Sequence, residues 1–189
     1  MKILVIQKKR IGDVLTSTIL LEALKEKFPK SELHYLIYPN SLAVVENNPF
    51  FDKLIILDEA TKKSRFKFLS FLFKIRKEKY DVVVDAYGKP NSVLIGWFSG
   101  AKMTITYKKI YSQLLYSHSL ERNKESFSAV TKAIEHRMLL LKPLGIDFKE
   151  YKPQIFLTEK EKKDAKTYLI HNKISFEKPL LMISAVGSR

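Results

Sequence analysis

A buried β-strand, a short polar loop and a helix are predicted in direct succession at the N-terminus, an order that starts a parallel α/β sheet. Residues 3–6 are all apolar, and residues 15–28 place apolar side chains at helical spacing. The loop between them contains Arg10, Gly12 and Asp13. Because open α/β sheets bind ligands beyond the carboxyl ends of their strands, we expect Asp13 to lie at a ligand-binding edge.

Asp13 has two interpretations. An Asp where a helix begins can cap the helix, because its carboxylate accepts hydrogen bonds from free backbone N–H groups. The same carboxylate could instead act as a general base. Lys8, Lys9 and Arg10 create a positive field that favours an ionised Asp13 and an anionic substrate, although they could also form a solvated basic loop. Gly12 alone does not make the three-glycine dinucleotide fingerprint, so a nicotinamide-dependent dehydrogenase is unsupported.

Strand and helix patterns alternate along the chain, which is typical of a parallel sheet wrapped by helices. We predict strands at residues 32–38, 54–57, 82–86 and 102–107 and helices at residues 41–47, 65–79, 91–99 and 126–142. Residues 110–125 fit neither pattern clearly.

A second unit is predicted near the C-terminus. Residues 147–153 are polar and aperiodic, as in a linker. A helix capped by Thr158, with Glu161 in the capping-box position, and an apolar strand at residues 180–184 follow it. We therefore expect one domain over residues 1–150 and the beginning of another over residues 151–189.

The composition limits the partners and the compartment. The chain has a formal net charge of +14, which favours an acidic partner such as nucleic acid, an anionic membrane or a phosphorylated glycolipid, although genomic bias can also enrich lysine. It contains no cysteine, which excludes a disulfide framework and a thiolate metal site. Because no transmembrane-length apolar run or signal-peptide pattern is visible, we expect a cytoplasmic protein.

The predicted helix at residues 65–79 is both basic and aromatic. Such a helix can lie at a membrane interface with its basic side toward anionic lipid. It can also be an ordinary crossover helix with its apolar side on the sheet, which is the interpretation we favour. Trp97 and Phe98 could similarly contact a membrane or an acceptor, but we expect them in the core.

An ordered set of segments resembles the N-terminal half of glycosyltransferase family 9, the heptosyltransferases of bacterial lipopolysaccharide synthesis. The segments are MKILVI at 1–6, IGDV at 11–14, LEALKEKFP at 21–29, YDVVVDAYG at 80–88, EHRMLLLKPLGI at 135–146 and GSR at 187–189. The resemblance implies a Rossmann-like parallel sheet flanked by helices. It also implies that this sheet is the N-terminal, acceptor-binding half of a two-domain GT-B glycosyltransferase whose donor domain is truncated here.

The resemblance further implies an inverting transfer of heptose, or a related sugar, from ADP-heptose to the lipopolysaccharide inner core. Asp13 would be the general base that takes the proton of the acceptor hydroxyl. Gly187, Ser188 and Arg189 would begin the site for the donor diphosphate, whose charge backbone N–H groups and cations can stabilise. No metal or other cofactor is expected. We expect little turnover from these 189 residues alone.

The predicted acceptor site lies beyond the first and fourth strands. Its residues are Lys8, Lys9, Arg10, Gly12, Tyr87, Lys89 and Asn91. Gly88 could simply serve a turn, and Asp85, inside the strand, is expected to make a structural hydrogen bond. His118 and His136 lack partners at metal or triad spacing and are interpreted as structural.

The partners implied are a nucleotide sugar and an anionic glycolipid at the cytoplasmic face of the inner membrane, where the protein would be peripheral. No nucleic acid is expected as a partner. The alternative hypothesis is a non-catalytic basic α/β module that binds anionic glycolipid or nucleic acid through its positive charge.

Overall fold

The computed structural model describes residues 1–8, 10–122, 125, 131–177 and 179–181. The chain divides into two compact units, Met1–Phe156 and Leu157–Arg189. The predicted linker at residues 147–153 falls within the first unit. Tyr151 shows why, because its ring is buried in the core and its hydroxyl donates to Glu26 at 2.6 Å. Whether the second unit begins a donor domain stays a prediction.

The first unit alternates strands and helices. In chain order they are β1 (Lys2–Ile6), α1 (Ile11–Lys27), β2 (Glu32–Ile37), β3 (Lys53–Ile56), α2 (Glu59–Lys63), α3 (Arg65–Lys77), β4 (Val82–Asp85), α4 (Pro90–Phe98), β5 (Met103–Tyr107), α5 (Ile110–Leu115), β6 (His118–Leu120) and α6 (Lys132–Leu139). Two 3₁₀ helices cover Pro39–Val44 and Lys142–Leu144. The described part of the second unit contains α7 (Glu159–His171).

The six strands in the described part of the chain pair in parallel, in the order β3-β2-β1-β4-β5-β6. This is the order of a Rossmann-like sheet, as predicted. The chain reverses its direction across the sheet between β1 and β4, whose last residues, Ile6 and Asp85, are register partners. The loops after these two strands therefore lie side by side at the carboxyl edge, where such folds bind ligands.

Both faces of the sheet are covered because alternate side chains of each strand point to opposite faces. Ile3 and Val5 belong to a core shared with α1 and α6. Leu4 and Ile6 belong to a second core shared with α3 and α4. Helices α1 and α6 thus pack on one face of the sheet, and α3 and α4 pack on the other.

Most predicted elements are confirmed within two or three residues, and the exceptions have physical reasons. The predicted helix at residues 41–47 is the 3₁₀ helix Pro39–Val44. Helix α2 was not predicted because none of its residues is buried, so it has no apolar period; the Asp58 carboxylate caps it by accepting from the Thr61 N–H at 2.6 Å. The ambiguous residues 110–125 contain α5 and β6.

The last predicted elements fall partly outside the described residues. For the helix predicted at residues 126–142, residues 126–130 are not described and α6 covers Lys132–Leu139. The strand predicted at residues 180–184 is described only to residue 181. The capping box of α7 is confirmed, because the Thr158 hydroxyl accepts from the Glu161 N–H and the Glu161 carboxylate accepts from the Thr158 N–H.

No helix in the described part of the chain is long and apolar enough to cross a bilayer.

Candidate functional site

Asp13 lies in the first turn of α1, just beyond the carboxyl edge of the sheet. The helix begins at Ile11, and its N-cap is Arg10, with φ 65° and no side-chain capping hydrogen bond. The interpretation of Asp13 as the helix cap is therefore wrong, because a capping residue precedes the helix and Asp13 is its third residue. An acid in a first turn is favoured by the helix dipole, and here the carboxylate is half-exposed.

Arg137 of α6 holds the Asp13 carboxylate in place. Its Nη2 donates to Asp13 Oδ1 at 2.9 Å, its Nε donates to the Ser17 hydroxyl at 2.8 Å, and its Nη1 donates to the Ala133 carbonyl at 3.0 Å. The guanidinium is almost buried, so these contacts fix its orientation. Arg137 thus holds one carboxylate oxygen of Asp13, and no described residue donates a hydrogen bond to the other, Oδ2.

Asp13 lines a cavity of about 610 Å³, here called the Asp13 cavity. Its lining residues include Gln7, Arg10, Asp13, Tyr87, Lys89, Tyr107, Arg122, His136 and Arg137. Four of these side chains are Lys or Arg and only Asp13 is acidic, so the cavity is electropositive. The Arg122 guanidinium stacks 3.8 Å from the centre of the Tyr107 ring. The structure thus brings together the predicted site residues Arg10, Asp13, Tyr87 and Lys89.

A second cavity of about 660 Å³, here called the Lys8 cavity, adjoins the first and shares Tyr87 and Lys89 with it. The remaining lining residues are Lys8, Tyr38, Pro39, Asn40, Glu59, Lys62, Pro90 and Asn91. Helix α4 begins at this cavity with Pro90 and Asn91, and a helix N-terminus favours negative charge. Glu59 offsets one of the positive charges, because it pairs with Lys62 at 3.2 Å.

Lys8 is fully buried, although a solvated basic loop had been one interpretation of this segment. That interpretation is wrong for Lys8 because the loop turns the side chain inward, where Nζ lies 5.7 Å from the Tyr38 ring centre and 5.6 Å from that of Tyr87. Nζ has no hydrogen-bond partner among the described residues. Burial lowers the pKa of Lys8 to about 8, against the opposing attraction of Asp85.

Asp85 shapes the loop between the two cavities. Its Oδ1 accepts from the Tyr87 N–H at 3.0 Å and the Gly88 N–H at 2.9 Å. Gly88 turns the chain with a φ of 57°, a conformation that favours glycine. The predictions of a structural hydrogen bond at Asp85 and a turn at Gly88 are therefore confirmed. Burial raises the pKa of Asp85 to about 6.

The other predicted residues are placed as follows. Asn91 lines the Lys8 cavity, whereas Gly12 lines neither cavity; its carbonyl accepts from the Thr16 hydroxyl in the first turns of α1. Lys9, Gly187, Ser188 and Arg189 lie outside the described residues. Trp97 is half-exposed on α4, so the expectation that it is in the core was wrong.

Sequence reasoning missed five polar side chains of the Asp13 cavity: Gln7, Tyr107, Arg122, His136 and Arg137. His136 was interpreted as structural, yet it lines the cavity, and its carbonyl also accepts from the Tyr107 hydroxyl at 3.1 Å. The available signal was an adjacent His and Arg in the apolar segment 135–146.

His118 is in β6, with Nδ1 3.0 Å from the Ser117 hydroxyl. Within the described ranges, no three His, Asp or Glu side chains are grouped as metal ligands.

The strand order and the carboxylate at the switch point define the class as a Rossmann-like α/β unit with a ligand site at its carboxyl edge. The sequence model of glycosyltransferase family 9 (heptosyltransferase) matches residues 68–189, and the chain belongs to this family. Lipopolysaccharide heptosyltransferase 1 of Campylobacter coli is 32% identical over 96 residues, which are 50% of this chain and 28% of that protein.

Two solved structures share the fold. A family 9 glycosyltransferase from Veillonella parvula has a TM-score of 0.79 and 22% identity, covering 98% of this chain and 54% of that chain. E. coli heptosyltransferase WaaC with ADP-2-deoxy-2-fluoro heptose has a TM-score of 0.64 and 17% identity, covering 81% and 51%. The predicted fold, one Rossmann-like half of a GT-B glycosyltransferase, is confirmed. The chain spans 28% to 41% of the length of the curated relatives it matches.

Proposed function

We propose that this chain is the acceptor-binding half of an inverting glycosyltransferase that transfers heptose, or a related sugar, from ADP-heptose to the lipopolysaccharide inner core. The observation that carries the proposal is the 2.9 Å contact of Arg137 with Asp13 at the wall of an electropositive cavity. Family membership supports sugar transfer. The ligand of the E. coli WaaC structure, ADP-2-deoxy-2-fluoro heptose, supports ADP-heptose as the donor.

Asp13 would act as the general base. The acceptor hydroxyl oxygen attacks the anomeric carbon opposite the leaving diphosphate and forms the new glycosidic bond. The bond to the diphosphate breaks, its electron pair leaves with ADP, and the hydroxyl proton passes to Asp13. Because Arg137 occupies Oδ1, the proton would go to Oδ2, which accepts no hydrogen bond from any described residue. The transition state has oxocarbenium character, as in glycoside hydrolysis.

The acceptor would be an anionic glycolipid, held by its negative charges. In the Asp13 cavity, Arg10, Lys89 and Arg122 supply the positive field. In the adjoining cavity, the buried Lys8 ammonium lies beside the Tyr38 and Tyr87 rings and has no hydrogen-bond partner among the described residues. An anionic group entering there would supply one. One acceptor could thus span both cavities, with its reacting hydroxyl beside Asp13 and an acidic group beside Lys8.

The donor would bind with its diphosphate near Gly187, Ser188 and Arg189. Backbone N–H groups and cations can stabilise the leaving diphosphate, so the proposed mechanism needs no metal. The protein would work in the cytoplasm, at the membrane face that carries the glycolipid. Because the chain spans about half of the matching solved chains, we expect it to show little turnover without the rest of such a protein.

The test is sugar transfer by the full-length natural protein that carries this chain. ADP-heptose and a panel of other nucleotide sugars are supplied with an inner-core glycolipid, with and without a chelator. Transfer from ADP-heptose that survives the chelator supports the proposal. Transfer only from another nucleotide sugar would overturn the donor assignment. Tight glycolipid binding without transfer from any donor would instead favour the non-catalytic binding module.

A further inference from the structure

Helices α3, α4 and α5 form a continuous layer with an unusual surface. Helix α3 packs against α4, and α4 packs against α5. Six large apolar side chains point outward from this layer, which we call the α3–α5 face: Phe66, Leu69, Phe73, Trp97, Ile110 and Leu114. Phe66, Ile110 and Leu114 are 85% to 88% exposed.

These outward side chains are not needed to attach the helices to the sheet. Helix α3 is anchored by Phe71, Leu72 and Ile75, which are buried, while Phe66, Leu69 and Phe73 recur at helical spacing on its opposite side. Single exposed apolar residues are ordinary, but neighbouring helices that share them mark an interaction surface.

The opposite side of the same sheet provides an internal comparison. Helices α1 and α6 cover that side, and among their described residues Ile11 is the one large apolar side chain that is exposed. Among the helices that cover the sheet, those of the α3–α5 face therefore carry most of the exposed large apolar side chains.

The α3–α5 face is also purely basic. Its three helices contain Arg65, Lys67, Lys74, Arg76 and Lys77 and no Asp or Glu. Arg76 packs over the Phe98 ring and donates to the Phe98 carbonyl at 3.1 Å, so one cation is fixed between α3 and α4. Aromatic and aliphatic side chains mixed with cations, without acids, suit the headgroup region of an anionic bilayer.

The face begins at the edge that carries the two cavities. Phe66 is the second residue of α3, Ile110 is the first residue of α5, and Pro90, the first residue of α4, lines the Lys8 cavity. A partner bound to the α3–α5 face would therefore lie next to the two cavities.

We propose that the α3–α5 face docks on an anionic lipid bilayer, with Phe66, Ile110 and Leu114 entering the headgroup region and the α3 cations pairing with lipid phosphates. This docking goes beyond the proposed sugar transfer and holds whether or not that reaction occurs. It would place both cavities at the level of lipid headgroups.

The test is flotation of the full-length natural protein with vesicles of phosphatidylcholine alone or mixed with phosphatidylglycerol. We expect strong binding only to the anionic vesicles, weakened but not abolished by salt because part of it is apolar. Phe66→Ser with Ile110→Ser, and separately Lys67→Glu with Lys74→Glu, should each reduce binding by about tenfold or more. The matched control is Lys27→Glu with Lys30→Glu, two exposed lysines outside this face.

A second measurement reports on the face directly. Trp97 emission, taken as the difference from a Trp97→Phe variant, should shift to the blue when anionic vesicles are added. Equal binding to neutral and anionic vesicles would overturn the proposal. Equal losses in the face variants and the control variant would also overturn it. The same holds if the face variants bind vesicles normally but lose binding to duplex DNA or RNA, which would identify a nucleic-acid surface instead.

Discussion

Arg137 and Asp13 are separated by 124 residues in the chain, yet their side chains meet at 2.9 Å. The contact depends on α6 packing against α1 and on two further hydrogen bonds that hold the guanidinium, to Ser17 and Ala133. Arg137 thus links the proposed base to the hydrophobic core. Because that base works only when its carboxylate points at the acceptor hydroxyl, Arg137 is inferred to be a positioning residue.

Replacing Arg137 by Lys should therefore damage catalysis more than binding. Lysine keeps the charge but cannot donate to Asp13, Ser17 and the Ala133 carbonyl together. We expect kcat to fall about 100-fold while the KM for the acceptor changes little. Steady-state kinetics on the full-length protein, with circular dichroism to verify folding, measure both quantities. An increase in KM with kcat unchanged would show that Arg137 binds acceptor rather than orienting the base.

Lys8 should lower the stability of the folded protein but strengthen its binding of the acceptor. Its pKa of about 8 in the folded protein is below its ordinary value of 10.5, so the folded state holds the charged form poorly. Wild-type stability should rise as the pH rises from about 8 to about 10.5, because the unfolded chain binds more protons in that window. Lys8→Met removes this dependence. Near neutral pH, this variant should have a free energy of unfolding about 1 to 3 kcal/mol higher than wild type. That figure is the gain from removing the buried charge less the loss of the two contacts with aromatic rings.

The same Lys8→Met variant should bind the anionic acceptor more weakly. Denaturant unfolding at neutral and alkaline pH, together with glycolipid binding, checks both halves of the prediction. Lys30→Met, at an exposed lysine that lines neither cavity, serves as a control for loss of a lysine. A Lys8→Met protein that is less stable and binds acceptor normally would contradict the role given to this lysine.

Asp85 should make stability depend on mildly acidic pH. Its pKa in the folded protein, about 6, is above the ordinary value of 3.8, so the folded state binds the extra proton between these values. This contribution is fully present below about pH 4 and is lost as the pH rises through about 6. In the wild-type protein, the free energy of unfolding should therefore decline by about 3 kcal/mol between about pH 4 and pH 6. Asp85→Asn, whose amide oxygen can still accept from the Tyr87 and Gly88 N–H groups, should abolish this decline. Urea titrations across this range measure it, and an unchanged decline in the variant would contradict the assignment.

The sheet and its helices could be predicted because their signals are local. Apolar runs such as residues 3–6 and 82–84 mark strands that are buried on both faces. Helix α2 could not be predicted, since it buries no side chain and so has no apolar period. Helix α7 buries no side chain either, yet the capping box of Thr158 and Glu161 predicts it. Local pattern therefore gives an element only when that element faces a core or carries a recognisable capping motif.

The site was only half predictable for a related reason. Asp13, Tyr87 and Lys89 lie in the segments that follow β1 and β4, and parallel strands of an open sheet bring these segments together at its carboxyl edge. Arg137 could not be assigned because its partner lies in another helix that only tertiary packing brings near. The burial of Lys8 could not be predicted, because a lysine just after a strand is usually part of a solvated loop. The Tyr38 and Tyr87 rings that enclose Lys8 come from other parts of the chain.

The most direct test of the account is Asp13→Asn in the full-length natural protein, assayed for sugar transfer under single-turnover conditions. Asparagine preserves the shape of the side chain and can still accept from Arg137, but it cannot take the acceptor proton. The account predicts that transfer falls by about a thousandfold while nucleotide-sugar and glycolipid binding stay close to wild type. Transfer at the wild-type rate by Asp13→Asn would contradict the general-base role of Asp13.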